Sequence, residues 1–118
     1  MLAKIANVML LYIGILAITL TQANANTQLG YGLTSCNQYN QVRQQSPAIE
    51  PIIDAWVLGY LSGINYIIHT TKGVDLLAEE NAENISRFIK GYCSANPRKT
   101  VTEATNEYWF NLSEQIGR

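Results

Sequence analysis

The sequence predicts an all-α protein, a small bundle of about four helices with one disulfide, preceded by an N-terminal signal peptide. Apolar residues recur at the three- and four-residue spacing of helix faces, and no stretch alternates convincingly with the two-residue period of a strand. Cys36 and Cys93 are the only cysteines, so one disulfide pairing exists. These observations and the apolar start of the chain determine the predicted architecture.

Residues 1–25 have the features of a cleavable secretory signal. Lys4 precedes an apolar run over residues 5–20, and the segment ends in Ala-Asn-Ala. Small residues at the first and third positions before the cut are what signal peptidase accepts. We therefore expect cleavage before Asn26 and export of the remainder. The alternative is an uncleaved N-terminal anchor, for which the run is short, since a spanning helix needs about 20 apolar residues.

The exported part is small and weakly acidic. Removing 25 of 118 residues leaves 93, which suffices for a flexible lead-in at residues 26–33 and one helical domain at residues 34–118. It holds nine acidic residues against seven basic ones, a net charge of −2. No basic patch of the kind that a phosphate backbone requires is present in the sequence, so we expect no nucleic-acid partner.

The two cysteines favour a structural disulfide. Both lie in the exported part, and two thiols in an oxidising compartment usually pair. A bridge between Cys36 and Cys93 would close a loop of about 57 residues, worth roughly 4 kcal/mol in the chain-entropy model. A metal site is the alternative, but it would need more ligands than two cysteines and the distant His69.

Two start signals place the first two helices. Thr34 or Ser35 caps a short helix that ends before the Gln-Gln-Ser run. Its inner face follows helical spacing and comprises Cys36, Tyr39, Val42 and Arg43. Ser46-Pro47 then predicts the start of a long central helix, with Pro51 still near its first turn.

The central helix carries a wide apolar stripe and a line of small residues. The predicted core stripe comprises Ile49, Ile52, Ile53, Trp56, Tyr60, Ile64, Ile67 and Ile68. Beside it, Ala55, Gly59 and Gly63 are spaced by four residues. Two glycines inside a helix cost about 1 kcal/mol each against alanine. Glycines inside a helix usually allow another backbone to approach closely. We predict such an approach here in preference to a kink.

The last two helices have their own boundary signals. Asn81 or Asn84 starts the third helix, and Asn-Pro at residues 96–97 ends it, since the residue before a proline is pushed out of the α region. Thr100 and Glu103 form a predicted capping box at the start of the fourth helix. The predicted inner faces comprise Ile85, Phe88, Ile89, Tyr92 and Cys93 in the third helix and Val101, Ala104, Tyr108, Trp109 and Leu112 in the fourth.

The sequence contains no arrangement that predicts catalysis. His69, the only histidine, ends the central helix, where the helix dipole favours it without a catalytic role. Glu50 and Asp54 lie four residues apart. Neither has a local partner in the sequence that would separate their pKa values, as a general acid and a general base require. We interpret them as a solvated face. No phosphate-binding glycine loop or calcium loop occurs, so we expect a non-enzymatic protein without a metal or cofactor.

The aromatic residues indicate a protein-binding surface. The chain has seven tyrosines and two tryptophans, more rings than four short helices easily bury. The candidate partner-binding or client-binding residues are Trp56, Tyr60, Tyr108 and Trp109. We expect a homodimer that shares part of the Trp56–Ile68 face, or the Tyr108-Trp109 pair, across a two-fold axis.

Three segments resemble the HdeA/HdeB-like family of small exported helical proteins. They are Ser35-Cys36 at the start of the domain, the run from Trp56 to Gly63, and Ile89 to Cys93 followed by Asn96-Pro97. The resemblance covers roughly residues 34–112 and implies a periplasmic location with one disulfide between the first helix and a later one. The best-known members are ATP-independent acid-stress chaperones. They are dimers at neutral pH that dissociate in acid and hold unfolding clients, and this role is our leading expectation.

A second resemblance gives the alternative function. Gly59-Tyr60-x-x-Gly63 and the Cys93-x-x-x-Pro97 turn are similar to segments of periplasmic immunity proteins that neutralise cell-wall amidase effectors. Those proteins usually carry an additional cysteine pair, which this sequence lacks. The expected partners are therefore a second copy, unfolded clients or one specific effector, with no membrane contact after signal cleavage.

Overall fold

The computed structural model of the chain describes residues 29–116. In this range, four α-helices follow a 3₁₀ turn at Tyr31–Leu33: α1 (Cys36–Gln45), α2 (Glu50–Lys72), α3 (Ala82–Ala95) and α4 (Val101–Ile116). The prediction of an all-α bundle of about four helices is confirmed. The predicted signal peptide at residues 1–25 lies outside the described residues.

Three of the predicted helix starts are confirmed by their caps. Ser35 caps α1 with a complete capping box. Asn81 caps α3 by accepting a hydrogen bond from the backbone N–H of Asn84 at 2.9 Å. Thr100 and Glu103 form the predicted capping box of α4, in which the Glu103 carboxylate accepts from the Thr100 N–H at 2.8 Å. These contacts satisfy N–H groups that have no partner inside a helix.

The start of α2 differs from the prediction. The Ser46-Pro47 signal predicts a helix from this point, but residues 46–49 form a hydrogen-bonded turn and α2 begins at Glu50. A helix beginning at Pro47 would place Pro51 beyond its first turn, where the ring clashes with the carbonyl four residues earlier and no N–H is available. Beginning at Glu50 puts Pro51 in the first turn, where the missing N–H costs little.

The first and last helices begin side by side. The Cys36 N–H donates to the Lys99 carbonyl at 2.7 Å, and the Val101 N–H donates to the Thr34 carbonyl at 2.9 Å. The two hydrogen bonds form a short antiparallel bridge between the segments that lead into α1 and α4. The start of α4 is thereby fixed to the start of α1.

A buried disulfide links α1 to α3, which confirms the predicted pairing. Cys36 and Cys93 are fully buried and bonded, with their Cα atoms 4.6 Å apart and a sequence separation of 57. Next to the bridge, the side-chain amide of Asn40 donates to the Cys93 carbonyl at 3.0 Å. Because α4 is fixed to the start of α1, the bridge holds α1, α3 and α4 together. We call these three helices the disulfide frame.

The α2 helix packs on the disulfide frame through one narrow stripe. Its buried side chains are Ile53, Val57 and Leu61, each four residues after the last. They meet a core that also contains Tyr39, Ile85, Ile89, Val101, Ala104, Tyr108 and Leu112. The predicted stripe is wrong in part, because Ile52 and Ile67 are exposed, whereas Val57 and Leu61, which it omits, are buried. An apolar helix offers several faces, and the frame covers only one of them.

Residues 29–33 contact both α2 and α4, in a segment for which the sequence predicts a flexible lead-in. The Trp56 indole N–H donates to the Leu29 carbonyl at 2.9 Å. A Cβ added at Gly32 would lie 2.5 Å from atoms of both Trp56 and Thr102. Glycine is therefore needed where this segment, which we call the N-terminal strap, crosses the indole ring.

Reduction of the Cys36–Cys93 bridge should lower the melting temperature markedly. The chain-entropy model gives about 4 kcal/mol for a loop of this length. Mass spectrometry of the exported protein should find the two cysteines linked, and thermal unfolding with and without dithiothreitol measures the stabilisation. Free thiols in the exported protein, or the same melting temperature after reduction, would contradict the disulfide frame.

Gly32→Ala should destabilise the fold by about 1–3 kcal/mol, because the added methyl group overpacks against Trp56 and Thr102. Gly91→Ala is the control, since a Cβ at Gly91 in α3 meets nothing within 4 Å. Its higher helix propensity should stabilise the protein by up to about 1 kcal/mol. Denaturant unfolding followed by tryptophan fluorescence measures both variants. Equal stabilities would show that the N-terminal strap does not pack against the ring as described.

Candidate functional site

The α2 helix is the candidate functional element, because it is long, apolar and mostly uncovered. Within the described residues, it is the one helix whose length and composition would allow it to cross a membrane, with a mean hydropathy of 1.2 over an 18-residue window. Only 17% of that window is buried. A core helix of this composition is normally covered by its own fold. The exposed apolar surface of α2 is therefore the candidate binding surface.

Trp56 and Tyr60, two of the four predicted binding residues, are neighbours on α2. Their rings stack with centroids 5.2 Å apart. Trp56 lies under the N-terminal strap, and the Tyr60 hydroxyl donates to the Asn106 side chain of α4 at 3.0 Å. Both side chains are half-buried, so each has only part of its surface available to a partner.

Tyr108 and Trp109, the other two predicted binding residues, pack against the core. Tyr108 is nearly buried, and its hydroxyl donates to Glu80. Its ring packs edge-on with the ring of Phe88, and the two ring centroids are 5.1 Å apart. Burial and the Glu80 carboxylate raise the pKa of Tyr108, so its hydroxyl remains a donor. Trp109 is half-buried against the same core. The structure thus stacks Trp56 on Tyr60 and packs Tyr108 and Trp109 against the core of the bundle.

Sequence reasoning missed the aromatic residues that are most exposed, Tyr66 on α2 and Phe110 on α4. The helices leave some rings at the surface, as the sequence predicts, but the most exposed rings are not among the four candidate residues. One signal could have found Tyr66. The stretch from Ala55 to Ile68 contains no Asp, Glu, Lys or Arg, whereas the water-facing side of a helix normally carries charged groups.

Phe110 lies level with the exposed part of α2. The α4 helix runs beside α2 in the same direction, because Thr102 and Trp56 meet at the N-terminal strap and, one turn further, Asn106 binds Tyr60. Phe110 follows one turn after Asn106. Its side chain is 60% exposed, so it adds apolar surface on α4.

Glu50 holds α2 against both α1 and α3. Its carboxylate pairs with Nε of Arg43 in α1 at 3.5 Å and with the ammonium group of Lys90 in α3. The Glu50 side chain is only 20% exposed. Water therefore screens these pairs less than it screens fully exposed ones. A single carboxylate thus joins three helices.

Asp54, one turn after Glu50, also binds both α1 and α3, but its partners are uncharged. The Ser86 hydroxyl of α3 donates to it at 2.7 Å, and the Tyr39 hydroxyl of α1 donates at 3.5 Å. Burial and the neighbouring Asp54 raise the pKa of Tyr39, so this hydroxyl also remains a donor. The expectation that Glu50 and Asp54 form a solvated face is therefore wrong. We call these two carboxylates, with their partners Tyr39, Arg43, Ser86 and Lys90, the carboxylate junction.

The carboxylate junction has no feature of a catalytic or metal site. Both carboxylates are occupied by donors from the neighbouring helices. Within residues 29–116, no three His, Cys, Asp or Glu side chains lie close enough together to hold a metal ion. His69 is exposed in the last turn of α2, where the sequence placed it. The junction attaches α2 to α1 and α3 through charged groups and hydrogen bonds rather than through apolar packing.

Glu103 should make the start of α4 sensitive to acid. The Lys99 ammonium at 2.9 Å and the backbone N–H of Thr100 lower the pKa of Glu103. The folded state therefore favours the ionised form. This contribution to stability is complete above the ordinary carboxyl pKa and is lost as the pH falls through the lower folded-state value. Glu103→Gln should destabilise the protein at neutral pH, and the difference from wild type should vanish in acid.

Denaturation curves of wild type and Glu103→Gln across the acidic range measure this effect. Glu107→Gln is the control, because it removes the same charge one turn further along α4, at an exposed position outside the cap. A difference between Glu103→Gln and wild type that stays constant at every pH would contradict the role of the cap.

Comparisons of the chain with protein-family models, with curated proteins and with solved structures give no match. The resemblance to the HdeA/HdeB-like family therefore depends on the sequence segments alone. The function is argued below from the geometry of α2, the carboxylate junction and the disulfide frame.

Proposed function

We propose that this protein is a non-enzymatic, ATP-independent chaperone that binds unfolding proteins in acid. One observation carries the proposal: the mostly exposed apolar helix α2 is attached to a disulfide-linked frame by one narrow apolar stripe and two carboxylates. The proposal places the protein in the periplasm, an oxidising compartment without ATP, after removal of the N-terminal signal. The sequence resemblance to acid-stress chaperones supports the same role.

Acid removes the attraction that the carboxylate junction supplies. Carboxyl groups take up protons as the pH falls below about 4. Arg43 and Lys90, which both bind Glu50 at neutral pH, are then two cations around a neutral side chain.

The net charge of the exported chain favours the same opening. At neutral pH, nine acidic residues outnumber seven basic ones, whereas at about pH 2–3 carboxyl groups are neutral and only cationic side chains remain charged. Repulsion among these cations acts against the compact state. The covalent bond between Cys36 and Cys93 resists complete unfolding. The bridge does not hold α2 directly, because this helix lies between the two cysteines and contains neither.

Movement of α2 would provide an apolar surface for clients. Its inner stripe of Ile53, Val57 and Leu61 would become accessible, in addition to Tyr66 and Ile67 on the opposite side of the helix, which are exposed already. An unfolding protein exposes apolar side chains, and their burial against such a surface is favourable without any specific sequence. This chemistry suits a chaperone that binds many clients.

The chaperone role is tested by comparing the protein in acid and at neutral pH. An apolar fluorescent dye reports exposed surface, and light scattering reports aggregation of an acid-unfolding client. We expect dye binding and suppressed aggregation at about pH 2–3, and neither at neutral pH. A client that aggregates equally in acid with and without the protein would eliminate the chaperone role. Tight binding of one partner at neutral pH, as by an immunity protein, would then be the better explanation.

Glu50→Gln tests the carboxylate junction in the same assay. The variant lacks the charge at every pH, so dye binding should begin at a higher pH than in wild type. Its stability at neutral pH should be lower by roughly 1–2 kcal/mol, since two partly exposed ion pairs are lost. Glu83→Gln is the matched control, because it breaks an exposed pair with Arg87 inside α3 and leaves α2 untouched. Identical behaviour of the two variants would rule out the junction as the acid-sensitive element.

A further inference from the structure

The side of α2 that faces away from the disulfide frame is uncovered along most of its length. Its exposed residues, which we call the outer face of α2, are Ile52, Ala55, Gly59, Ser62, Gly63, Tyr66, Ile67 and Thr70. They recur at three- and four-residue spacing, as one side of a helix requires, and they lie opposite the buried stripe.

The outer face contains no Asp, Glu, Lys or Arg along the whole of α2, which the structure describes completely. The charged residues of this helix are elsewhere: Glu50 and Asp54 belong to the carboxylate junction, and Lys72 ends the last turn. A helix face that stays in water normally carries such groups. The outer face therefore has the composition of a covered surface, although nothing in the described part of the chain covers it.

The two glycines of the outer face have no function within one copy of the chain. A Cβ added at Gly59 or Gly63 meets nothing within 4 Å, so the predicted approach of another backbone does not occur inside the fold. Each glycine nevertheless costs about 1 kcal/mol of helix stability against alanine. Small residues shorten the distance at which two helices can pack, because that distance depends on the side chains at the contact.

The exposed apolar area of four side chains on α2 and α4 can be compared with the area that a protein interface buries. Tyr66 is 69% exposed, Ile67 and Phe110 are each 60% exposed, and Ile52 is 51% exposed. With about 150–250 Å² for a buried aromatic side chain, these four leave on the order of 400 Å² of apolar surface in water. A standard interface buries about 800 Å² per partner. The four side chains provide about half of this, and the helix surface between them, about 22 Å long, adds to it.

We propose that the outer face of α2 pairs with the same face of a second copy, with the two α2 helices antiparallel about a two-fold axis and crossing at Gly59 and Gly63. In such an isologous contact, if residue i of the first copy touches residue j of the second, then residue j of the first copy also touches residue i of the second. Because α2 is centred between the two glycines, Gly59 of each copy lies against Gly63 of the other. The antiparallel arrangement also places opposite ends of the two helix dipoles together.

This pairing gives a surface and a geometry to the homodimer that belongs to the proposed function. The pairing rests on the proposed function in one respect, namely that its role is to keep α2 covered at neutral pH. A dimer that forms through α2 but gives no protection in acid would leave the pairing intact and remove the chaperone role. Protection in acid by a protein that is monomeric at neutral pH would do the reverse.

Gly59→Leu and Gly63→Leu separate dimer formation from folding. Both substitutions raise helix propensity and place their side chains in space that is open in one copy, so each variant should fold at least as well as wild type. Each should weaken dimerisation at neutral pH by at least about tenfold in sedimentation equilibrium of the full chain. Gly91→Leu is the control, because Gly91 is equally open but lies on α3, and it should leave the dimer unchanged.

Cross-linking tests the antiparallel geometry. Oxidation of an equal mixture of Gly59→Cys and Gly63→Cys proteins should give a mixed disulfide dimer in higher yield than either variant gives alone. Stronger linkage of each variant to itself would indicate parallel helices and overturn the proposed geometry. A wild-type protein that is monomeric at all micromolar concentrations, or Gly59→Leu dimers as stable as wild type, would overturn the pairing itself. Binding of monomers to phosphatidylcholine vesicles, strengthened in Gly59→Leu by the added apolar side chain, would assign the outer face to lipid instead.

Discussion

Cys36 is the first residue of α1 and Cys93 lies in α3, so the bond between them joins two helices that are separated by the whole of α2. The backbone hydrogen bonds between the segments before α1 and α4 then add the last helix to the same unit. α2 is attached differently, by one apolar stripe and by two carboxylates that bind α1 and α3. The molecule therefore combines a covalent frame with a helix whose attachment depends on charge.

Local signals in the sequence predicted most of the helix boundaries. Ser35, Asn81 and Thr100 each act on N–H groups within three residues, so their effect can be read from adjacent positions. The start of α2 was misplaced because two prolines compete for it. A helix from Pro47 has a good first residue, but it pushes Pro51 into a position where its ring clashes with the backbone. The position of the second proline decides the outcome.

The candidate site was harder to predict, because it depends on which face of α2 the frame covers. Every side of this helix is apolar in part, so periodicity alone does not identify the buried one. Glu50 and Asp54 look like surface residues in sequence and become inter-helix contacts only when α1 and α3 bring their donors to them. Tyr108 and Tyr66 illustrate the same limit: both are tyrosines on apolar helices, and only tertiary packing makes one nearly buried and the other exposed.

The order of the two cysteines along the chain has a consequence for α2. Since α2 lies between Cys36 and Cys93, the disulfide makes it part of a closed covalent loop. The chain is therefore held at both ends of this helix. When it separates from the frame, both of its ends stay within reach, and its effective concentration at the frame remains in about the millimolar range. Its return is then a first-order event, with a rate that does not depend on dilution. A molecule in which α2 has separated from the frame would therefore close again without a partner.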